Sequence, residues 1–140
     1  MRVLFSPLGM SYGSLFSAIV LTKPDHVVVI TSSRPADNIN KVIEKAKEYH
    51  PNFTLEFYTL EDPFTGFKEG RELAKRLASK KGDENIANLS GGTTALQDSV
   101  KCLADLIGAK EVAVIDRRPI SEQQRNPFVV GELVEIPPIE

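Results

Sequence analysis

The sequence predicts an α/β protein of the doubly wound, Rossmann-like class, with a mostly parallel sheet. Two observations lead to this prediction. Short apolar segments alternate along the chain with segments whose apolar residues recur at helical spacing. In addition, a polar glycine-bearing segment, residues 88–96, lies between an apolar run and a helical pattern, where α/β proteins commonly bind phosphates. With 140 residues, 41% of them hydrophobic, we expect one domain over residues 1–140.

The strands are predicted from runs of apolar and β-branched residues. The run V-L-F begins the first strand, and H-V-V-V-I-T has the continuous apolar character of a strand buried on both faces. The segment F-T-L-E-F-Y alternates between apolar and polar residues, as a third strand would. In chain order, the five predicted strands cover residues 3–5, 26–31, 53–58, 86–89 and 111–116.

Four helices are predicted between these strands. In the third of them, Phe67, Leu73 and Leu77 share one face, while lysines and arginines occupy the opposite face. Gly108 stands just past the end of the fourth, where a glycine commonly terminates a helix. In chain order, the predicted helices cover residues 14–21, 36–49, 66–80 and 93–107.

The order of these elements also predicts how the strands are arranged. Strands joined by helices pair in parallel through right-handed crossovers, and the usual order for such a chain is 3-2-1-4-5. The tail at 128–136 alternates across a glycine and predicts a C-terminal edge strand or a hairpin. In this order the first and fourth strands are neighbours. Their carboxyl ends form the topological switch point, where such sheets bind ligands.

Both glycine-bearing loops are predicted to open at this switch point. One is S-P-L-G-M-S-Y-G-S, residues 6–14, and the other is N-L-S-G-G-T-T, residues 88–94. Gly91 and Gly92 allow the backbone to turn sharply, while hydroxyls stand beside the free N–H groups of the next helix. The sequence therefore predicts a pocket for an anion. A capped helix start without a ligand is the alternative for residues 90–94.

Composition excludes several other functions. With 17 basic and 19 acidic residues, the chain predicts no broad basic face, so we expect no long DNA or RNA partner. Two isolated histidines and one cysteine, Cys102 in an apolar helix, predict neither a disulfide nor a metal site. The apolar start of the chain is too short for a signal peptide or a membrane span, so we expect a soluble cytoplasmic protein.

The glycine spacing argues against the common nucleotide-binding motifs. Gly9 and Gly13 lie four residues apart, which matches neither G-x-G-x-x-G nor G-x-x-x-x-G-K-[ST], and no G-x-S-x-G elbow is present. Asp62 and Asp116 follow predicted strands at the ligand-bearing edge of the sheet. They suit Mg²⁺ binding or, as we favour, surface and helix-capping roles. No cofactor is expected.

The two loop motifs, S-P-L-G-x-S-x-G and N-L-S-G-G-T-T, together with the strand layout, resemble the CRISPR-associated Rossmann-fold (CARF) domains. The resemblance covers nearly the whole chain, residues 1–136. It implies a homodimer whose two crevices face each other and bind a cyclic oligoadenylate, the second messenger of type III CRISPR complexes. A two-fold dimer suits a ring with an even number of units, because each protomer offers the same contacts to half of the ring. We favour cyclic tetra-adenylate over the ring of six.

The resemblance also implies which residues bind the ligand. They are Gly9, Met10, Ser11 and Tyr12 after the first strand, Ser32, with Ser33 and Arg34, after the second, Asn88, Ser90, Gly91, Gly92, Thr93 and Thr94 after the fourth, and Arg117 and Arg118 after the fifth. Tyr12 can stack on the ligand or pack against the protein. For Arg117 and Arg118, a dimer salt bridge or plain exposure is the alternative to ligand contact.

Members of this family either sense the ring or also cleave it. Because no second domain is visible in this chain, we expect a stand-alone, metal-independent ring nuclease in which a ribose 2′-OH attacks the adjacent phosphate. Ser11 would orient the attacking hydroxyl, and Thr93 and Thr94 at the helix N-terminus would stabilise the developing charge. One departure is that many relatives have G-G-T-K, so the lysine that neutralises the transition state is replaced by Thr94.

Two alternatives to a ring nuclease stay open. The first is a sensor that binds the ring without cleaving it and signals through a partner, with the proline-bearing segment 136–139 as the start of a linker. The second is an unrelated enzyme that binds a mononucleotide or sugar phosphate in the same crevice. Stoichiometry separates them, since a ring binds once per dimer and a mononucleotide once per protomer.

Overall fold

The computed structural model describes residues 1–139 and contains one six-stranded sheet. The strands are β1 (Arg2–Leu8), β2 (His26–Thr31), β3 (Thr54–Thr59), β4 (Glu84–Asn88), β5 (Lys110–Ile115) and β6 (Glu132–Glu135). The helices are α1 (Gly13–Thr22), α2 (Ser33–Ala36), α3 (Ile39–Lys47), α4 (Phe67–Leu77, continued by a 3₁₀ turn, Ala78–Lys80), α5 (Thr94–Ile107) and α6 (Ile120–Arg125). Among the described residues, no helix combines the length and the apolar character that crossing a membrane requires.

The strands lie in the order β3-β2-β1-β4-β5-β6. β1 occupies the centre, where it pairs in parallel with β2 on one side and with β4 on the other. β6 closes the sheet as an antiparallel partner of β5. The predicted class and order are therefore confirmed, with an edge strand at the C-terminal end. The carboxyl ends of β2, β1, β4 and β5 consequently lie along one edge of the sheet.

Alternation along the central strand divides the core into two clusters, one on each face of the sheet. Leu4 and Leu8 of β1 pack in the cluster that contains residues of α1 and α3. Val3 and Phe5 pack in the cluster that contains residues of α4 and α5. Because both faces of β1 are covered, this strand holds the loop at its carboxyl end in a fixed position.

The structure divides the helix predicted at 36–49. Pro35 lacks an N–H group but fits the first turn of a helix, so α2 begins earlier, at Ser33. Asn38, with φ −108° and ψ 4°, leaves the helical region and separates α2 from α3. The predicted single helix was therefore wrong in its start and in its continuity, and α3 buries Ile39, Val42 and Ala46.

The C-terminal region differs from the prediction in two ways. Only Glu132–Glu135 of the predicted segment 128–136 forms a strand, because Phe128 packs against Phe16 with ring centroids 5.5 Å apart and the following residues form a loop. The sequence analysis also missed α6, which has six residues and none of them buried, so it shows no apolar periodicity. Pro119 before α6 was the available indication of a helix start.

Candidate functional site: the crevice between two glycine loops

The loops that follow β1 and β4 touch each other at the carboxyl edge of the sheet. Gly9 is buried, and a Cβ atom added to it would lie 2.5 Å from Cα and 2.8 Å from N of Gly92. No side chain fits between backbones at that distance, so position 9 requires glycine. Gly91 and Gly92 turn the second loop with φ of 84° and 76°, values that other residues rarely adopt. The predicted convergence of the two loops is thus observed.

A polar framework, formed by the buried Ser6 and Asn88 and the half-buried Ser14 and Ser90, supports these loops. The Asn88 side chain is fully buried, and its Nδ2 donates to Ser6 Oγ at 3.0 Å and to Ser14 Oγ at 3.1 Å. Its Oδ1 accepts from the N–H of Ser90 at 3.0 Å. The Ser14 hydroxyl donates in turn to the Ser90 carbonyl at 3.0 Å. The structure therefore places Asn88, a predicted binding residue, below the surface, where it positions both loops.

Ser90 connects this framework to the next strand. Its hydroxyl accepts from the N–H of Val114 in β5 at 2.7 Å. Among the described residues, every buried side-chain nitrogen or oxygen atom has a hydrogen-bond partner. The framework is consequently satisfied without any ligand, which makes it a rigid support for the exposed groups above it.

Two threonine hydroxyls lie at the start of α5, and that of Thr93 caps the helix. Thr93 Oγ1 accepts from the N–H of Leu96 at 3.3 Å and also donates to the Pro63 carbonyl. The Thr94 side chain is exposed. The first-turn N–H groups of a helix have no intrahelical acceptor, so the start of α5 is a position where the helix dipole stabilises an anion.

The first loop places its predicted residues at different depths. Met10 is 56% exposed, and Ser11 is exposed as well. Tyr12 is half-buried, and its side chain packs against the cluster that includes Phe16. Packing is thus its observed role, and the free polar side chain of this loop is that of Ser11.

The end of β2 lies beside the end of β1. Thr31 Oγ1 donates to the Leu8 carbonyl at 2.6 Å, which joins the two strand ends. Ser32 is half-buried and its carbonyl accepts from the N–H of Ala36 at 3.1 Å at the start of α2. Ser33 and Arg34 are exposed on α2. This loop therefore borders the crevice on the side of β1 that faces away from β4.

The two arginines after β5 have different surroundings. Arg118 forms a bidentate ion pair with Asp116, in which Nε lies 3.0 Å from Oδ1 and Nη2 lies 2.8 Å from Oδ2. Its Nη2 also donates to the Asn126 carbonyl. The Arg118 guanidinium holds the pKa of the Asp116 carboxyl below its ordinary value. Arg117 is 78% exposed and its Nε donates to Glu132 Oε2 at 2.6 Å. Arg118 is fixed, whereas Arg117 is held by one exposed pair.

An open groove of about 350 Å³ lies beside these arginines, between the end of β5 and the loop before β6. Residues 115–118 and 129–132 line it. Glu132 pairs with Ile115 in the antiparallel register, so the groove continues the carboxyl edge of the sheet beyond β4. Both Arg117 and its partner Glu132 belong to this lining.

The carboxylates of Asp62 and Asp116 serve local structure. Asp62 accepts from the N–H groups of Phe64 and Thr65 and from the Thr65 hydroxyl, and the Thr65 hydroxyl bond is the main cause that lowers the pKa of Asp62. Asp116 is paired with Arg118. Within residues 1–139, no three His, Cys, Asp or Glu side chains come together as a metal site would require. Both carboxylates fit the capping and surface roles that we favoured.

Sequence analysis missed three contributors to this crevice. The predicted convergence of loops 6–14 and 88–94 brings Ser14 near Asn88, but nothing in the local sequence indicated the bond between these side chains, which lie 74 residues apart. Pro63 contributes only a carbonyl group, which no sequence pattern reveals. Gln97 was accessible to prediction, because it lies one helical turn after Thr93 and its Nε2 reaches back to the Gly91 carbonyl at 2.9 Å.

Comparisons with known proteins identify the fold. No family model and no curated protein matches the sequence. Can2 from Sulfobacillus thermosulfidooxidans, solved in complex with cyclic tetra-adenylate, is similar with a TM-score of 0.68, over 82% of this chain and 32% of Can2, at 10% identity. Enterococcus italicus Csm6, bound to cyclic hexa-2′-fluoro-hexa-dAMP, is similar with a TM-score of 0.63, over 91% of this chain and 37% of Csm6, at 16% identity.

A type III CRISPR defence DNA nuclease activated by cyclic oligoadenylate is similar with a TM-score of 0.59, over 79% of this chain and 18% of the nuclease, at 23% identity. This chain therefore spans well under half the length of each of these three proteins. The resemblance to CARF domains inferred from the two loop motifs is confirmed at the level of the fold.

Proposed function

We propose that this chain is a CARF domain that binds a cyclic oligoadenylate, with cyclic tetra-adenylate favoured, in type III CRISPR signalling. The observation that carries the proposal is the contact between the two glycine loops, Gly9 against Gly92, at the β1/β4 switch point. It supports the proposal because, among proteins of the same fold, Can2 binds cyclic tetra-adenylate, Csm6 binds a cyclic hexanucleotide analogue and a type III CRISPR nuclease is activated by cyclic oligoadenylate.

The exposed groups around this contact suit a ring of phosphodiesters. Each phosphate carries one negative charge and accepts hydrogen bonds, and the start of α5 offers N–H groups beside the exposed Thr94 hydroxyl. Ser11 offers a second free hydroxyl on the opposite loop. The net charge of −2 argues against binding of long nucleic acid but is compatible with a small anion that local donors hold.

Arg117 is the cation that we assign to the ligand. An exposed ion pair such as Arg117–Glu132 contributes little to stability, so a phosphate can replace the carboxylate at small cost. Arg118 has no such freedom, because Asp116 and the Asn126 carbonyl already occupy its guanidinium. Arg117 therefore takes the place of the lysine that Thr94 replaces.

The ring is proposed to bind between two copies of this chain. A closed ring of four or six identical units has even symmetry, so a two-fold homodimer presents identical crevices to its two halves. One ring per two chains is the expected stoichiometry. A dimer also encloses the ring, which strengthens each hydrogen bond to phosphate by excluding water.

We further propose that the bound ring is cleaved without a metal ion. The ribose 2′-oxygen attacks the adjacent phosphorus, the bond from phosphorus to the 5′-oxygen breaks, and the proton lost by the 2′-hydroxyl is balanced by the proton that the 5′-oxygen gains. The products are linear, with 2′,3′-cyclic phosphate ends. In this scheme Ser11 orients the 2′-hydroxyl, and Thr94, the N-terminus of α5 and Arg117 stabilise the phosphorane charge, with Thr93 holding the helix start.

A non-catalytic sensor is the second candidate, and one observation favours it. The Thr93 hydroxyl already donates to the Pro63 carbonyl, so of the two threonines only Thr94 offers a free hydroxyl to the reacting phosphate. A site that orients the attacking 2′-hydroxyl but stabilises the phosphorane charge only weakly cleaves the ring slowly or not at all. Binding is common to both candidates, and only product formation separates them.

Incubation of the purified chain with radiolabelled cyclic tetra-adenylate in EDTA tests these proposals. A native gel reports binding and a denaturing gel reports products. Binding with conversion to linear products establishes the ring nuclease, and binding without conversion establishes the sensor. The ring of six is tested in parallel, and absence of binding to both rings contradicts the proposed function.

A further inference from the structure

Phe64 is the most exposed aromatic side chain among the described residues, at 75%. Phe57 on the edge strand β3 is less exposed, at 45%, and several other aromatic residues have partners. Phe16 makes edge contacts with Tyr49 and Phe128, and Tyr58 donates its hydroxyl to Glu56. An open aromatic surface costs free energy in water, so a fixed one at the rim of a crevice points to a contact made there.

The loop that carries Phe64 is held tightly. The Asp62 carboxylate accepts from the N–H of Phe64 at 2.9 Å and from the Thr65 hydroxyl at 2.7 Å. The N–H of Gly66 donates to the Asp62 carbonyl at 2.9 Å, and Glu69 accepts from the N–H of Glu61 at 2.9 Å. The backbone of Phe64 is therefore ordered before any ligand arrives, which reduces the entropy lost on binding.

The same loop adjoins the glycine loop at the start of α5. The Pro63 carbonyl accepts the Thr93 hydroxyl, so the residue before Phe64 contacts the residue before Thr94. A nucleotide whose phosphate sits at the N-terminus of α5 carries its base to one side of that position. Tyr12, the aromatic residue of the opposite loop, packs into the core and does not offer an open face.

We infer that Phe64 stacks on an adenine base of the bound ring. This inference rests on the proposed function and deepens it, because the groups assigned above contact phosphate and ribose and none of them is assigned to a base. Stacking on an aromatic side chain is the usual way in which proteins hold unpaired bases. Contact with Phe64 would make the site select a ring of nucleotides over inorganic phosphate, which has no base to stack.

Tryptophan fluorescence tests the contact directly, because the natural chain contains no tryptophan. Phe64→Trp places a single reporter at the rim, and titration with cyclic tetra-adenylate is expected to quench it in step with binding. The matched control is Phe57→Trp, at another exposed phenylalanine on the edge strand β3, which is expected to keep its fluorescence. Unquenched fluorescence from Phe64→Trp under saturating ring overturns the inference.

Affinity provides the second measurement. Stacking contributes about 1–3 kcal/mol per base, so Phe64→Ala is expected to weaken binding at least about fivefold, and Phe64→Tyr is expected to restore most of it. Because the side chain is exposed, urea unfolding of Phe64→Ala is expected to match that of the wild type. Unchanged affinity of Phe64→Ala contradicts the inference.

The outcomes also separate this inference from the function on which it rests. If the wild type binds neither ring, both proposals fail. If the wild type binds but the Phe64 variants behave like it, only the stacking contact fails. If Phe64→Ala abolishes the dimer in sedimentation experiments without the ring, Phe64 contacts a second copy of the chain instead, and the inference is again overturned.

Discussion

The polar framework and the exposed rim of the crevice both include residues of the two glycine loops but use their polar groups differently. In the framework, defined above by Ser6, Ser14, Asn88 and Ser90, hydrogen bonds within the protein satisfy the side chains. In the rim, formed by Ser11, Phe64, Thr94 and Arg117, the side chains are exposed. Neighbouring residues of one loop, such as Thr93 and Thr94, therefore divide between supporting the site and contacting the ligand. Substitutions in the framework are expected to affect stability first, and substitutions in the rim are expected to affect binding first.

Asn88→Ala is expected to have the largest effect on stability. It removes bonds to Ser6 and Ser14 and leaves the N–H of Ser90 without its acceptor. Because an unsatisfied buried polar group costs about 1–3 kcal/mol, the free energy of unfolding is expected to fall by about 3 kcal/mol. Urea denaturation measures the loss. The exposed Asn52→Ala is the control, and its free energy of unfolding is expected to change by no more than about 0.5 kcal/mol. Equal losses in the two variants would contradict a stabilising role for the Asn88 hydrogen bonds.

Gly9→Ala is expected to rank second and to affect both properties. The added methyl group meets the backbone of Gly92, so the two loops must separate, at a cost of about 2 kcal/mol for such overpacking. Binding of cyclic tetra-adenylate is expected to be lost with it.

Gly108→Ala is the matched control for this substitution. Its φ of 67° imposes backbone strain of about 1 kcal/mol, but no atom lies within 4 Å of the added methyl group, and α5 ends there far from the crevice. It should therefore lower stability while leaving binding intact. Normal binding by Gly9→Ala would show that the loop contact does not shape the site.

Substitutions of the two arginines after β5 are expected to affect binding and stability in opposite ways. Arg117→Ala is expected to weaken ring binding about tenfold with little change in thermal stability, because a hydrogen bond to a charged group is lost only in the complex. Arg118→Ala is expected to show the opposite pattern, since it breaks the pair with Asp116 and the bond to Asn126. Calorimetric titration and thermal unfolding of both variants measure this. Loss of stability in Arg117→Ala together with loss of binding in Arg118→Ala would contradict these roles.

The smallest expected effect is a pH dependence at Asp116. Its pKa is lowered in the folded protein by Arg118, so its charge stabilises the fold above the ordinary carboxyl pKa of about 4. That contribution is lost as pH falls through the lowered pKa. The stability difference between the wild type and Asp116→Asn is therefore expected to be largest near neutral pH and to shrink in acid. The exposed Asp37→Asn serves as the control, and a difference that grows in acid would contradict the ion pair.

Topology was predictable from the sequence because burial on both faces gives continuous apolar strands such as 26–31, and helices between them impose parallel pairing. The positions of both glycine loops followed from that topology. The division between framework and rim did not, because it depends on contacts such as Ser14 with Asn88, which are 74 residues apart. Likewise, the partners of Arg117 and Arg118 depend on where the loop before β6 places Glu132 and on where Asn126 ends α6.

The claim that two chains share one ring is tested by native mass spectrometry, which measures the stoichiometry of cyclic tetra-adenylate bound to the wild-type chain, with adenosine monophosphate as the comparison ligand. One ring for every two chains is the predicted result, because the two crevices of a homodimer share one even-membered ring. Binding of the mononucleotide once per chain, with no complex of two chains and one ring, would contradict the claim and assign the crevice to a different nucleotide.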